Sequence, residues 1–329
     1  MQLHLELQQA LIADEVSALT SVVRPILTGT LFALKQDVVA EAGGYTGVKL
    51  FMLPRLYRPG DGDCGVCFEY AVHDAVRRND PTVLERVEDA LKTHCRLKGK
   101  VPASILFGAE KTGAIQLIDT SRDLLTSSSV LLYGARGRPA GLQRHIDSVA
   151  AAFRKPETRR MLPRSIQGLW KADLFLGHSD TDKWVGSTVK INPDHLEGAK
   201  GLRIGIVPTR QGRSDKIRMD DPKNLVVCPL PYDGAFMETF YMGWQIVQQF
   251  IHADAKVPKE VALPQAAARQ VARYLADRRE FPVLDVVEAL VPLSQPALLT
   301  EERRTAEIVL TRAGNTEATT VVAPFAAAP

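Results

Sequence analysis

Cysteine is scarce in this chain: Cys64, Cys67, Cys95 and Cys228 are the only four among 329 residues. So few thiols in so long a chain exclude a disulfide-built scaffold, and without an export signal they are expected to stay reduced. Long apolar runs are missing too. The longest, such as Leu225 to Leu230 and Ile105 to Gly108, have the length of strands, far short of the roughly 20 residues a membrane-spanning helix needs. The opening MQLHLELQQALIADEV lacks the basic segment and apolar block of a secretory signal and carries Glu6, Asp14 and Glu15 instead. The expectation is a soluble cytoplasmic protein with no membrane partner. Charge of one sign is also lacking: 41 basic residues face 38 acidic ones, for a net charge of +3. Any surface that holds nucleic acid must therefore be local.

What the chain does have is ordinary globular composition, 45% hydrophobic and 24% charged, enough for one large core or two smaller ones. A helix is expected from Leu3 to Arg24, stopped by Pro25. Gly, Pro and short apolar runs follow to Pro59, then a GDGD turn at Gly60 to Asp63. Val66, Tyr70, Val72 and Val76 give the next segment a partly apolar helical face, and Val83, Leu84, Val87, Ala90 and Leu91 do the same for Pro81 to Cys95. Short strand-like runs occur at Ser104 to Gly108, Ala114 to Ile118 and Ser129 to Tyr133, with a helix expected over Ala140 to Phe153. A compact alternation comes next: strands at Ala172 to Leu176 and Trp184 to Asn192, a short helix at His195 to Ala199, and a strand at Leu202 to Val207. The charged loop RQGRSDKIRMDDPKN then leads to a strand at Leu225 to Pro229 and a helix at Phe236 to Ala253. Helices are expected at Pro264 to Arg278 and Pro282 to Leu290, and an Ala/Thr-rich disordered tail at 313–329. Interleaved strands and helices read as a mixed α/β (α+β) chain. Its divisions would be an N-terminal extension (1–60), a core (61–257, with an insertion at about 96–160), a helical region (258–312) and the tail.

The strongest chemical signal is KADLFLG followed by WVGSTVKIN. Asp173 opens one strand, and Lys190 lies 17 residues on, in the next. Neighbouring strands run about 4.8 Å apart, so a hairpin would let both side chains serve one phosphate-sized site. Phosphodiester hydrolysis asks for such parts: a carboxylate to hold a hard divalent cation, and a lysine to orient or help deprotonate the attacking water and offset charge on the phosphate.

An acidic residue on one strand, a Lys near the end of the next, then helix and strand, resembles the PD-(D/E)XK (restriction-endonuclease-like) nuclease superfamily. The resemblance covers roughly Gly65 to Ala253. It implies a core sheet flanked by helices, with helical additions at both ends of the chain. It also implies a Glu from a preceding helix as a further metal ligand, here Glu69, beside Asp173. The cofactor implied is Mg²⁺ or Mn²⁺, with Lys190 positioning the water. Where the family usually places an acidic or amide residue, two before the Lys, this chain has Thr188, preceded by Ser187. A DNA endonuclease of a restriction or antiphage system is the implied activity, often beside a partner ATPase and often dimeric. A non-catalytic nucleic-acid-binding or scaffolding subunit of the same fold is the alternative that Thr188 keeps open.

Lys171, Lys183, Arg203, Arg210, Arg213, Lys216 and Arg218 cluster in sequence around this site. Lys171, Lys183 and Ser187 are expected to contact the phosphate backbone, as are Arg136 and Arg138 in the GARGRP segment. Asp215, Asp220 and Asp221 make Arg210 to Arg218 read as a solvated loop. Trp170 and Trp184 suit packing better than base stacking. Cys64, Cys67, His94 and Cys95 are irregularly spaced for zinc and read as buried thiols. GAEKTG is no P-loop, Ser127 to Ser129 and His145 show no nucleophile elbow, and the helix Phe236 to Ala253 reads as core rather than interface.

Overall fold

A computed structural model describes residues 2–56, 64–107, 124–132, 140–162, 172–198, 201–256 and 262–294. The expected strand at 114–118, the GARGRP segment, Lys171, Trp170 and the tail at 313–329 lie outside them. The described chain is mixed α/β: an open sheet with helices on both faces and a helical N-terminus.

The first helix, α1 (Gln2–Ala33), runs straight through Pro25. A proline inside a helix removes a backbone donor and strains the turn before it, at a cost of about 3 kcal/mol. Here Val22, Val23, Ile26, Leu27 and Leu31 are all buried along its length, and their transfer from water, about 1.5–3 kcal/mol for each side chain, outweighs that cost. Leu11–Ala33 of this helix is also long and apolar enough to cross a bilayer, contrary to the expectation from apolar runs alone. The most apolar 18-residue window of that segment is 72% buried inside the fold, so packing within the protein accounts for its composition.

Short helices α2 (Gln36–Glu41) and α3 (Leu53–Leu56) precede α4 (Cys64–Arg77). The next helix, α5 (Pro81–Asp89), begins cleanly because the Asp80 carboxylate accepts the Val83 N–H and Pro81 needs no partner for an N–H. Strand β1 (Pro102–Leu106) follows, then the two-residue strands β2 (Val130–Leu131) and β3 (Ala140–Gly141), and α6 (Leu142–Arg154). The hairpin β4 (Leu174–His178) and β5 (Lys183–Val189) leads to β6 (Arg203–Pro208), with a 3-10 turn at Pro193–His195 and no helix over 196–198, within the short helix expected at His195 to Ala199. Inside the charged loop, Arg218–Asp220 forms β7, which the sequence pattern did not suggest; β8 (Leu225–Leu230) follows. Helices α7 (Ala235–His252), α8 (Ala266–Asp277) and α9 (Val283–Leu290) complete the described chain.

The sheet runs β1-β4-β5-β6-β8-β7, with β2 and β3 attached beside β5. β5, β6 and β8 are parallel, while β4 and β7 run against their neighbours. β6 and β8 are buried along their whole length. On one face α1, α4, α7, α8 and α9 enclose a hydrophobic core that is continuous from Ala18 to Leu290. The N-terminal and C-terminal helices thus share one core with the sheet. On the opposite face α6 covers Ile105, Phe107, Phe175 and Trp184, and a small cluster of Leu196, Val207, Leu225 and Val227 lies beside it. Trp184 is core, as expected from its sequence. The Asp182 carboxylate pins β2 to β5 by accepting bonds from Ser129 (2.5 Å), Ser128 (3.2 Å), Thr126 (2.5 Å) and the Trp184 indole (2.9 Å).

Candidate functional site

Parallel strands present their carboxyl ends along one edge, where α/β proteins commonly bind ligands. Lys190 stands one residue beyond the end of β5, with its backbone N–H donating to the Ile206 carbonyl of β6 at 3.0 Å. Asp173 stands one residue before β4, and because β4 runs antiparallel to β5 the two residues meet at the same end. The α4 helix lies over β1 and β5 and delivers Glu69 to that end from the helical layer.

The Lys190 ammonium joins the two carboxylates. Its Nζ lies 2.8 Å from Asp173 Oδ2 and 2.9 Å from Glu69 Oε1. The lysine side chain is 31% exposed and each acid 18%, so the cluster is half-sheltered yet open to a ligand. Burial is the largest single influence on Lys190 and pulls its pKa down. The Glu69 and Asp173 charges and hydrogen bonds together outweigh it, and the ammonium is held above its ordinary range.

Asp173 is fixed by more than the lysine. The same Oδ2 accepts the Thr188 hydroxyl at 2.9 Å and the Val189 backbone N–H at 3.0 Å. Three donors on one oxygen lock the carboxylate, and among the described residues none engages Oδ1. Thr188 is thus a positioning group that holds Asp173. The Val189 N–H escaped the sequence reading, because a backbone donor leaves no signature in residue type.

Several expected participants lie elsewhere. Ser187 is buried on the other side of β5 from Thr188, with its hydroxyl donating to the Ile204 carbonyl at 3.0 Å. Strand alternation, which puts successive side chains on opposite faces, explains the difference. Lys183 begins β5 and lies exposed at the opposite end of the strand. Arg203 is buried. On α4, one turn beyond Glu69, stands His73, which was not among the expected site residues; its Nδ1 pairs with the Ser104 hydroxyl at 3.0 Å inside the core, and burial, aided by Arg77 and Arg24, holds its pKa down to about 3. Lys171, Arg136 and Arg138 lie outside the described residues.

No group of three or more His, Cys, Asp or Glu side chains is poised for a metal among the described residues. Cys67 is buried against Thr30 and the Ile26 carbonyl. Burial pushes the Cys95 and Cys228 thiols up to about 12, and Cys64, Cys67, His94 and Cys95 form no metal-holding group among the described residues. Two carboxylates, Glu69 and Asp173, do converge on one point, and a cation, the Lys190 ammonium, already stands between them. That donor set suits a hard ion of the Mg²⁺ kind, which takes one or two carboxylates and keeps several waters.

No protein-family model matches this chain, and no curated protein sequence or solved structure does either.

Proposed function

We propose that the chain is a Mg²⁺- or Mn²⁺-dependent nuclease with a PD-(D/E)XK-type site in a restriction-endonuclease-like sheet. The observation that carries this reading is the meeting of Glu69, Asp173 and Lys190 within 2.9 Å of one ammonium, although Glu69 and Lys190 are 121 residues apart in sequence. A structural ion pair accounts for one acid and one base. It does not account for two acids from separate layers aimed at a single open point at the strand ends.

Asp173 would hold the metal through Oδ1, the oxygen its three donors leave available, and Glu69 would complete the protein share. A divalent ion bound there supplies Lewis acidity and lowers the pKa of a bound water. Lys190 would orient that water and balance charge building on the phosphate. A lysine held protonated by two acids is a poor proton acceptor, so its role is electrostatic rather than that of a general base. The resemblance adds DNA as substrate, a cytoplasmic restriction or antiphage role, a partner ATPase and a homodimer.

A second reading has one observation of its own. Thr188 stands where a further carboxylate would complete a three-acid site, and its hydroxyl is spent on Asp173. This favours a non-catalytic nucleic-acid-binding or scaffolding subunit.

Purified protein with plasmid and linear DNA in Mg²⁺ or Mn²⁺ separates the two readings. Cleavage is expected to fall about 10²–10³-fold in Lys190→Ala and below detection in Asp173→Asn, with thermal unfolding intact. Without DNA, Mg²⁺ at about 100 times its Kd should stabilise the wild type by about 2.7 kcal/mol, and Asp173→Asn should lose that shift. DNA binding with neither cleavage nor a metal-dependent shift would overturn the nuclease reading in favour of the scaffold.

A further inference from the structure

A hollow of about 550 Å³ opens on the sheet over β6 and β8, with β6 next to the strand that leads to Lys190, within the usual size range of small-ligand clefts. Its floor is aliphatic: Leu196, Val207, Leu225 and Val227 form a small cluster of their own. Its position follows from register. Thr188, Gly205 and Val227 are partners across β5, β6 and β8, and partners share a face of the sheet. The face that carries the Thr188 hydroxyl to Asp173 therefore continues into this floor. Gly205 makes room for it, since a Cβ there would come within 2.9 Å of the Leu196 side chain. The Lys190 N–H bonds to the Ile206 carbonyl, and Val207, the next residue, already lines the hollow.

The rim is cationic. Arg210, Arg213, Arg218 and Lys223 surround it, against Asp194 and Asp220. Asp194 is taken by Arg210, and Asp220 lies 3.9 Å from Lys223. Arg213 and Arg218 are exposed and carry no ion pair among the described residues. Of the acids that made this loop read as solvated, Asp215 is held by Arg86 and Asp220 lies by Lys223, while Asp221 is exposed. Thr209 at the lip is 8% exposed, and its hydroxyl has no partner among the described residues. A second hollow beyond the Arg210–Arg213 loop shares Arg210 and Arg213 with the first and also carries Asp215, Asp233 and Glu238.

An apolar floor beside two open guanidinium groups fits a ligand with a flat body and a phosphate. The geometry points to a nucleotide-binding groove, in which Arg213 and Arg218 hold the phosphate of the nucleotide next to the one at Lys190, and its base or sugar lies over Val207 and Val227. This rests on the reading of Lys190 as a phosphate contact. The same chemistry is offered by a nucleotide within a strand and by a free mononucleotide.

Binding should be measured on full-length Asp173→Asn protein without metal, using a twelve-nucleotide single strand and AMP as probes. Arg213→Ala/Arg218→Ala in that background is expected to weaken the strand about tenfold. The slope of log K against log salt should become shallower by about 0.7, the share of one phosphate on a single strand. Lys92→Ala, an exposed lysine on another element, should change neither. Loss of AMP binding in the double variant shows that the groove takes an isolated nucleotide. AMP that never binds, with a weakened strand, shows that it takes a chain-borne one. Unchanged strand binding in the double variant, or no binding of either probe by its parent, overturns the proposal. Because the readout is binding in a cleavage-deficient background, a wild type that cuts nothing would sink the nuclease reading alone. Cleavage with unchanged binding would sink the groove alone.

Discussion

Lys190 is held as an ammonium by two acids at 2.8 and 2.9 Å, and its pKa is raised. For a base with a raised folded pKa, the protonated form contributes stability at every pH below the unfolded value, and that stability is lost only as pH rises through the folded one. In the metal-free protein this means no ionisation of Lys190 below its ordinary pKa of 10.5. NMR titration of the metal-free protein from pH 6 to 10 should show no step at the Lys190 side chain. A step near neutral pH that is absent from Lys190→Arg would show that the two acids do not hold the ammonium. At this scale the sequence was legible where chemistry sits in side chains. Asp173, Lys190 and Glu69 are rare types in otherwise apolar strands and helix, and they do converge. Ser187 and Lys183 were misplaced because residue type carries no information about which face or which end of a strand a position occupies.

Helices meet where small residues let them. A Cβ on Gly29 of α1 would lie 3.1 Å from the Cys67 backbone in α4, and one on Gly243 of α7 would lie 2.7 Å from Val22. α1 is therefore seated against both neighbours by glycine. Gly29→Val adds helix propensity of a few tenths of a kcal/mol but forces two backbones apart. A net loss of about 2 kcal/mol is expected from chemical denaturation, together with a weaker site, since α4 also carries Glu69. Unchanged stability would mean that α4 can shift freely and that the close approach is incidental. Helical periodicity revealed α4, α5, α7, α8 and α9 to within a few residues, because each has a strong apolar stripe. It failed at Pro25, where tertiary burial outweighs a local breaker. It also failed at β7, three residues whose pairing with β8 draws on a partner strand rather than on their own pattern.

Across the whole molecule, two buried groups pull stability in opposite directions with pH. Burial, with Arg77 and Arg24 adding to it, holds His73 down to about 3 from 6.5. Below pH 6.5 the unfolded chain takes up a proton that the folded chain refuses, and stability falls on acidification by about 1.4 kcal/mol per pH unit. Burial raises Asp80 to about 7 from 3.8, against bonds from Val83 and Thr82 and the charge of Arg78, with Asp74 adding to the rise. Between those values the folded chain holds a proton the unfolded one has released, so stability falls as pH rises. The two slopes cancel over about pH 4–6.5, and stability there should be nearly flat. His73→Gln, neutral yet able to bond Ser104, should expose the Asp80 slope and make the protein more stable toward pH 4. Parallel pH curves for variant and wild type would refute this balance. The mixed α/β class was legible from alternating strands and helices. The sharing of one core by the first and last described helices was not, because divisions by composition cannot see that α1 packs on α8 and α9.

The hairpin that brings Asp173 to Lys190 spans 17 residues, while Glu69 reaches the same ammonium across 121. Loop closure for the longer link costs about 1.7 kcal/mol more entropy, whereas a hairpin zips within about 1–10 μs. During folding the two arms of the cluster therefore arrive at different times, aspartate first and glutamate last. A half-folded chain would hold a lysine beside one acid and lack the second, so the cluster is complete only once the helical layer has docked on the hairpin.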